Sequence, residues 1–213
     1  MPSVVAARST SATPRRHPAG AGFDFTLHIR RLAEDIAARL PELEHVDLAR
    51  VAIRFCQARK AVRHGLWASL TPLRFQSGAL TTQRRGRTWA IQRVHDEQGR
   101  EMLYLLSFYL PRFMNLPPRE KLATVIHELW HISPQFDGDL RRHPGRCYAH
   151  THSQNSYDRQ MHALAERWLA LDPPAELHAF FEDDFHQLQR RHGQIFGTKI
   201  PTPKLVRVPN TSV

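Results

Sequence analysis

The spacing of apolar residues predicts a helix in the first part of the chain. From Phe23 onward, apolar residues recur three or four positions apart, as on the buried face of an amphipathic helix. The residues of this stripe are Phe25, Ile29, Leu32, Ile36 and Leu40. Pro41 follows directly, and proline cannot continue a helix. We therefore expect the first helix to start near Phe23 and to end before Pro41.

Four later segments have the composition and alternation of β-strands. They cover residues 51–56, 66–70, 88–95 and 102–110. The last of them is almost continuously apolar from Tyr104 to Leu110, which predicts a central strand that is buried on both faces. Between the third and fourth segments lies Asp96-Glu97-Gln98-Gly99, whose residues favour a turn. We expect one small, mostly antiparallel sheet of about four strands.

Two helical patterns follow a polar loop that ends near Ser156. The first has apolar residues at Tyr157, Met161, Leu164, Trp168 and Leu171. The second has them at Leu177, Phe181, Phe185 and Leu188, and Gly193 closes it. Pro173-Pro174 separates the two patterns. The order of elements predicts an α+β fold in which helices pack on one sheet.

The composition divides the chain into one domain and two tails. Residues 1–21 contain no acidic residue and are rich in Ala, Ser, Thr, Pro and Arg, so we expect a disordered basic tail. Residues 22–193 hold every predicted helix and strand and form the expected single domain. Residues 194–213 contain three prolines, and we expect them to form an extended C-terminal tail.

The net charge is +10 and the sequence pI is about 10.5, a charge that can attract nucleic acid or an acidic partner. The arginines are spread along the chain in pairs and do not form one block. The pairs are Arg30 and Arg31, Arg84 and Arg85, Arg141 and Arg142, Arg190 and Arg191. The two cysteines are too few for a disulfide framework, and no apolar run is long enough to span a membrane. These features favour a cytoplasmic protein without a membrane partner.

The most informative segment is His127-Glu128-Leu129-Trp130-His131, which has the form H-E-x-x-H. Pro118 suits the first turn of a helix, and Glu120 complements the positive end of the helix dipole. A stripe of apolar residues continues the helix through Leu122, Val125, Ile126 and Leu129. Ser133-Pro134 then ends it. The motif is therefore predicted to lie in the last turns of a short, largely apolar helix.

On a helix, positions i and i+4 lie on the same face, so His127 and His131 can bind one zinc ion together. Glu128 then lies close enough to take a proton from an activated water molecule, as a general base does. The alternative is that two partly buried histidines merely end a helix. The intervening glutamate and the helical context favour the zinc site.

A catalytic zinc ion needs three protein ligands and one open position. The sequence after the motif offers His150, His143 and His152, in our order of preference. His150 lies in a compact loop just before the next predicted helix, and its distance lets the chain turn fully and return. Asp137 and Asp139 are carboxylate alternatives. Cys147 is disfavoured, because a thiolate tends to make a closed structural site.

The order of elements and the segment from His127 to Arg142 resemble the minimal zincins, and among them the uncharacterised metallopeptidases of bacteria and phages. The SprT-like proteases are more distant relatives of this pattern. The resemblance covers about Phe23 to Leu171 and implies a peptidase with His127 and His131 as zinc ligands and Glu128 as general base. It leaves the third ligand open. The metzincin pattern is absent, since Pro134 and Asp137 occupy its glycine and histidine positions.

These residues predict a zinc-dependent metallopeptidase with one catalytic ion and a peptide or protein substrate. The substrate is expected to extend along an edge strand, for which residues 88–95 are the candidate. Tyr148, His152 and Arg146 are candidates for stabilising the oxyanion. The alternative function is a basic accessory protein, DNA-associated or phage-derived, with the same fold and weak or no protease activity.

Overall fold

The computed structural model describes residues 22–58, 65–142 and 154–209, and for residues 154–157 it describes the backbone alone. This part of the chain contains four α-helices: α1 (Phe25–Arg39), α2 (Pro118–Trp130), α3 (Gln154–Ala170) and α4 (Phe185–His192). Its strands are β1 (Phe23–Asp24), β2 (Val51–Gln57), β3 (Ala68–Pro72), β4 (Thr81–Arg84), β5 (Arg87–Ile91), β6 (Tyr104–Leu110), β7 (Ile195–Phe196) and β8 (Leu205–Arg207). The predicted α+β class is confirmed. The basic tail predicted at residues 1–21 lies outside the described residues.

The core sheet consists of three strands in the order β2-β6-β3. β6 runs parallel to β2, with Val51 opposite Tyr104, and antiparallel to β3, with Ala68 opposite Phe108. Successive side chains of β6 point to opposite faces. On one face, Tyr104, Leu106 and Phe108 pack with the helices in the main core. On the other face, Leu105 belongs to a smaller cluster with Val94, Met102 and Ile200. Burial on both faces explains why β6 is almost entirely apolar.

α1 begins where the sequence pattern predicts. The side chain of Asp24 accepts a hydrogen bond of 3.1 Å from the backbone N–H of Leu27, which caps the first turn. The predicted apolar stripe of α1 is fully buried against the core sheet and the neighbouring helices. Arg39 is the last helical residue, and Pro41 follows Leu40 as the terminator.

The prediction of one sheet of about four strands is wrong, because the described strands form three small sheets. In the second sheet, β5 pairs with β4 and β8, and both pairings are antiparallel. In the third, β1 pairs with β7 in parallel. β4 is polar and half-exposed or exposed throughout, which is why no apolar alternation indicated it. The segment expected to be an extended C-terminal tail contributes β7 and β8.

The helix predicted through Leu177 and Leu188 is interrupted. Short 3-10 helices occupy Ala175–Leu177 and Ala179–Glu182, and α4 begins only at Phe185. Leu171 also departs from its predicted place in a buried stripe, because α3 ends before it and 48% of its surface is exposed. In the described part of the chain, no helix is both long and apolar enough to cross a membrane.

Candidate metal centre

The helix α2 carries the H-E-x-x-H segment. Pro118 lies in its first turn, where a backbone N–H has no acceptor within the helix, so a proline there costs no helical hydrogen bond. The predicted stripe of Leu122, Val125, Ile126 and Leu129 is buried in the main core. His131 is the C-cap residue, so the second histidine lies at the last turn of the helix. The predicted position of the motif within the helix is confirmed.

His127 and His131 bring their Nε2 atoms to 3.0 Å from each other. Their ring centroids are 4.7 Å apart and the ring planes meet at 79°. Both side chains are half-buried. The helix thus presents two imidazole nitrogens that converge on one point, as the i, i+4 spacing predicts.

This geometry fits a shared metal ion. Two nitrogens bound tetrahedrally to one zinc ion at 2.0–2.1 Å lie roughly 3.3 Å apart, which is close to the separation of the two Nε2 atoms. Imidazole nitrogen is also a ligand type that zinc prefers. His127 and His131 are therefore the residues of α2 that could hold the ion.

Glu128 is buried, with 7% of its surface exposed, and its carboxyl group accepts a hydrogen bond from the backbone N–H of Leu70. Burial raises the pKa of this carboxyl group to about 7, and the hydrogen bond from Leu70 opposes part of that rise. Glu128 is thus held against β3, beside the paired imidazoles on the same helix. A carboxyl group with such a pKa exchanges protons near neutral pH.

The edge strand beside the motif is β3, so the expectation that residues 88–95 form the substrate edge is wrong. Within the described residues, β5 is paired on both sides, whereas β3 is paired only with β6. The N–H of Leu70 points toward Glu128 and away from the β6 ladder. Pro72 was the available signal in the sequence, because proline within a strand is confined to edges and bulges.

After α2 the chain makes a tight reversal through residues 133–140, which we call the return loop. Ile132 and Leu140 form an antiparallel bridge, and the N–H of Arg141 donates a 2.7 Å hydrogen bond to the carbonyl of His131. Gly138, in the loop, has a φ of 88°, a conformation that L side chains rarely adopt. The return loop therefore brings the chain back to the C-terminal end of the motif.

The return loop is held by Tyr104 and by the side chain of Asp139. The Tyr104 hydroxyl donates to the Asp139 carbonyl at 2.9 Å and accepts from the N–H of Gly138 at 3.0 Å. The Asp139 carboxylate accepts hydrogen bonds from Arg142 Nε at 2.8 Å and from the N–H of Ser77 at 3.0 Å. Burial alone would raise the pKa of this carboxyl group, but the hydrogen bonds from Arg142, Ser77 and Leu140 together outweigh it and lower the pKa. These contacts give Asp139 a structural role, which argues against it as a metal ligand.

Asp137 lies within the described return loop, where its carboxylate accepts a 3.1 Å hydrogen bond from the N–H of Asp139. The other candidates for the third ligand fall outside the described residues. This holds for His143, His150, His152 and Cys147, and also for the oxyanion candidates Arg146 and Tyr148. Within the described ranges, no group of three His, Cys, Asp or Glu side chains is arranged to hold a metal ion. Arg142 is the last described residue before this gap. The residue before it, Arg141, donates its N–H to the His131 carbonyl.

A recess of about 390 Å³ lies apart from the motif. It is lined by α1, β2 and the turn after β5, and it contains none of His127, Glu128 and His131. Its lining includes Arg30 and Asp96. The candidate metal centre is therefore defined by side-chain convergence on α2 and not by this recess.

A comparison with protein families assigns the chain. The family model described as "Putative phage metallopeptidase" matches residues 26–153, which is more than half of the chain and includes the whole motif. The chain belongs to this family, whose description is that of a metal-dependent peptidase. No curated protein and no solved structure matches the chain at a significant level.

Proposed function

We propose that the protein is a zinc-dependent peptidase in which His127 and His131 bind one zinc ion and Glu128 acts as the general base. The observation that carries the proposal is the convergence of two imidazole nitrogens at 3.0 Å beside a buried carboxyl group on the same helix. The family assignment supports a metal-dependent peptidase at the coarser level. We further propose His150 as the third ligand, with His143 and then His152 as alternatives.

His127 and His131 would hold the ion, which when bound would act as a Lewis acid that polarises a carbonyl group and makes water acidic near neutral pH. Glu128 takes the proton of the attacking water and then delivers it to the leaving amine. The N–H of Leu70 fixes the Glu128 carboxyl group on the side of α2 that faces β3. This restraint keeps the base in one orientation through both proton transfers.

β3 supplies the proposed place for the substrate. As an edge strand of the core sheet, it can bind an extended peptide by backbone hydrogen bonds on either side of Leu70, whose own N–H is taken by Glu128. A peptide paired there would lie next to the side of α2 that carries Glu128. The geometry therefore favours cleavage of extended, unfolded segments over cleavage of helices.

The proposal is tested with Glu128→Gln, which preserves shape and removes the basic carboxylate. We expect the variant to keep one zinc ion per chain, measured by elemental analysis, and to lose cleavage of an unfolded protein such as casein. Glu120→Gln, on the exposed side of the same helix, is the matched control and should cleave normally. His127→Ala should lose zinc.

Undiminished cleavage by Glu128→Gln would contradict the proposed role of the base. Zinc binding by the wild-type chain without any cleavage would instead favour the alternative, an accessory protein built on the same fold. The same comparison therefore separates the two functions.

A further inference from the structure

The second sheet, formed by β4, β5 and β8, is strongly basic. Neither residues 79–93 nor residues 199–209 contain an aspartate or a glutamate. The basic residues in these segments are Arg84, Arg85, Arg87, Arg93, Lys199, Lys204 and Arg207. These two segments therefore contain no acidic residue of their own that could neutralise their positive charge.

The strand register gathers the key side chains on one face. Arg84 lies opposite Arg87, and Trp89 lies opposite both Thr82 and Arg207. Side chains two residues apart on a strand share a face, so Arg87 and Trp89 lie on the same side of β5. We call the set of Arg84, Arg87, Trp89 and Arg207 the arginine–tryptophan face.

This face is open to solvent. The three arginines are exposed, and the half-buried indole of Trp89 lines a recess of about 600 Å³ together with Arg84 and Arg87. Among the described residues, none of the three arginines forms an ion pair, whereas the neighbouring Arg93 pairs with Glu101 at 3.4 Å. The three guanidinium groups therefore lack an acidic partner in the described fold.

We propose that the arginine–tryptophan face binds single-stranded nucleic acid. Guanidinium groups match phosphate oxygens in charge and hydrogen-bond geometry. The indole provides a platform on which an unpaired base can stack. A duplex keeps its bases stacked on each other and an acidic peptide has none, so neither would use Trp89. This binding is independent of the proposed peptidase activity.

The first test is the affinity for a labelled oligothymidylate of about 16 nucleotides, measured by fluorescence anisotropy at several salt concentrations. The triple variant Arg84→Ala, Arg87→Ala and Arg207→Ala should bind at least about tenfold more weakly at low salt. The slope of log affinity against log salt should fall by about 2, since each phosphate contact to a single strand contributes roughly 0.7. The matched control, Arg31→Ala with Arg159→Ala and Arg190→Ala, removes the same charge from exposed positions elsewhere and should bind nearly normally.

The second test separates stacking from charge. Trp89→Leu should weaken binding by about fivefold or more while leaving the salt slope unchanged, because it removes a base-stacking surface and no charge. Thermal unfolding of each variant checks that the sheet remains intact. Glu128→Gln should bind the oligonucleotide as the wild type does, so loss of peptidase activity and loss of binding can be told apart.

Each of three results would overturn the proposal. The first is that the wild-type chain shows no binding at about 50 mM salt. The second is that the control triple variant loses as much affinity as the triple variant of the arginine–tryptophan face. The third is that duplex DNA or polyglutamate competes as well as the oligothymidylate, and that Trp89→Leu binds all three of these ligands as the wild type does. The same affinity measurement with an oligouridylate shows whether RNA binds as well as DNA.

Discussion

The hydroxyl group of Tyr104 joins the central strand of the core sheet to the loop that follows the metal motif, through a 2.9 Å hydrogen bond to the backbone carbonyl of Asp139. Tyr104 is fully buried, and the same oxygen accepts the N–H of Gly138. Burial raises the pKa of Tyr104 to about 12, so the hydroxyl group keeps its proton and remains a donor over the physiological range. A neutral phenol is therefore one of the groups that anchor the return loop to the core sheet.

Replacing this phenol should destabilise the fold measurably. Tyr104→Phe leaves the buried N–H of Gly138 without its acceptor, which costs about 1–3 kcal/mol. We expect that loss in the free energy of unfolding measured in urea. Tyr109→Phe in the same strand is the control, because the Tyr109 hydroxyl is only 3.4 Å from the Ser69 Oγ and half-buried, and its loss should be smaller. Equal losses in both variants would show that the return loop does not depend on Tyr104.

Zinc should stabilise the folded chain through His127 and His131. A ligand that binds only the folded state at about 100 times its Kd adds about 2.7 kcal/mol. We therefore expect zinc to raise the unfolding temperature and a chelator to reverse the change. His127→Ala should abolish the effect, and His186→Ala, an exposed histidine on α4, should keep it. A zinc shift that survives in His127→Ala would place the ion elsewhere.

The third ligand can be identified by exchanging each candidate histidine for alanine. Only the variant that removes the true ligand should lose both zinc stoichiometry and cleavage, and we expect this for His150→Ala. His143→Ala and His152→Ala serve as controls for each other. If all three variants retain zinc, a carboxylate or a fourth segment must complete the site.

Lys121 should make stability depend on pH. Only 1% of its surface is exposed, and its ammonium group donates to the carbonyl groups of Phe181 and Asp183 at 2.7 and 2.6 Å. Burial lowers its pKa from 10.5 to about 8, despite the opposing influence of nearby Asp183. Between pH 8 and 10.5 the unfolded state therefore binds more protons than the folded state.

The free energy of unfolding should then rise with pH in that window, by at most about 1.4 kcal/mol per unit, and show no such contribution below it. The neutral amine still has two N–H groups for the two carbonyls, so deprotonation leaves both contacts in place. Unfolding in urea and chelator at several pH values measures the slope. Lys121→Met should lack the rise and Lys199→Met, at an exposed site, should retain it. The same rise in both variants would assign it to another group.

The parts of the fold that follow from local patterns could be predicted from the sequence. The apolar stripe of α1 ends before Pro41, and that of α2 lies between Pro118 and Pro134. β6 is apolar because it is covered on both faces. The interruption of the predicted helix near Phe181 could not be predicted, because it depends on the remote Lys121, which binds carbonyl groups of a segment that is not α-helical. A local signal for the start of α4 did exist, since Asp184 and Gln187 form a capping box.

The candidate site also has a part that depends on local sequence and a part that depends on long-range contacts. His127, Glu128 and His131 lie within five consecutive residues of one helix, so their mutual arrangement is local and predictable. The contact between Glu128 and Leu70 depends on how β3 pairs with β6, which joins segments far apart in the chain. The pairing of β5 with β8 is equally remote, so the arginine–tryptophan face could not be recognised from the spacing of basic residues.

The contacts of the buried Lys121 on α2 indicate that the unit that folds is longer than the segment that the family model recognises. The family match ends at residue 153, yet the carbonyl groups that receive Lys121 lie in residues 181–183. Arg54 in β2 likewise donates to the carbonyl of Ile200 at 2.9 Å. A fragment that ends at residue 153 would leave Lys121 and Arg54 without these acceptors. It would also expose the apolar surface that Trp168 and Leu188 cover. The peptidase signature is thus contained within a folding unit that extends to its far C-terminal strands.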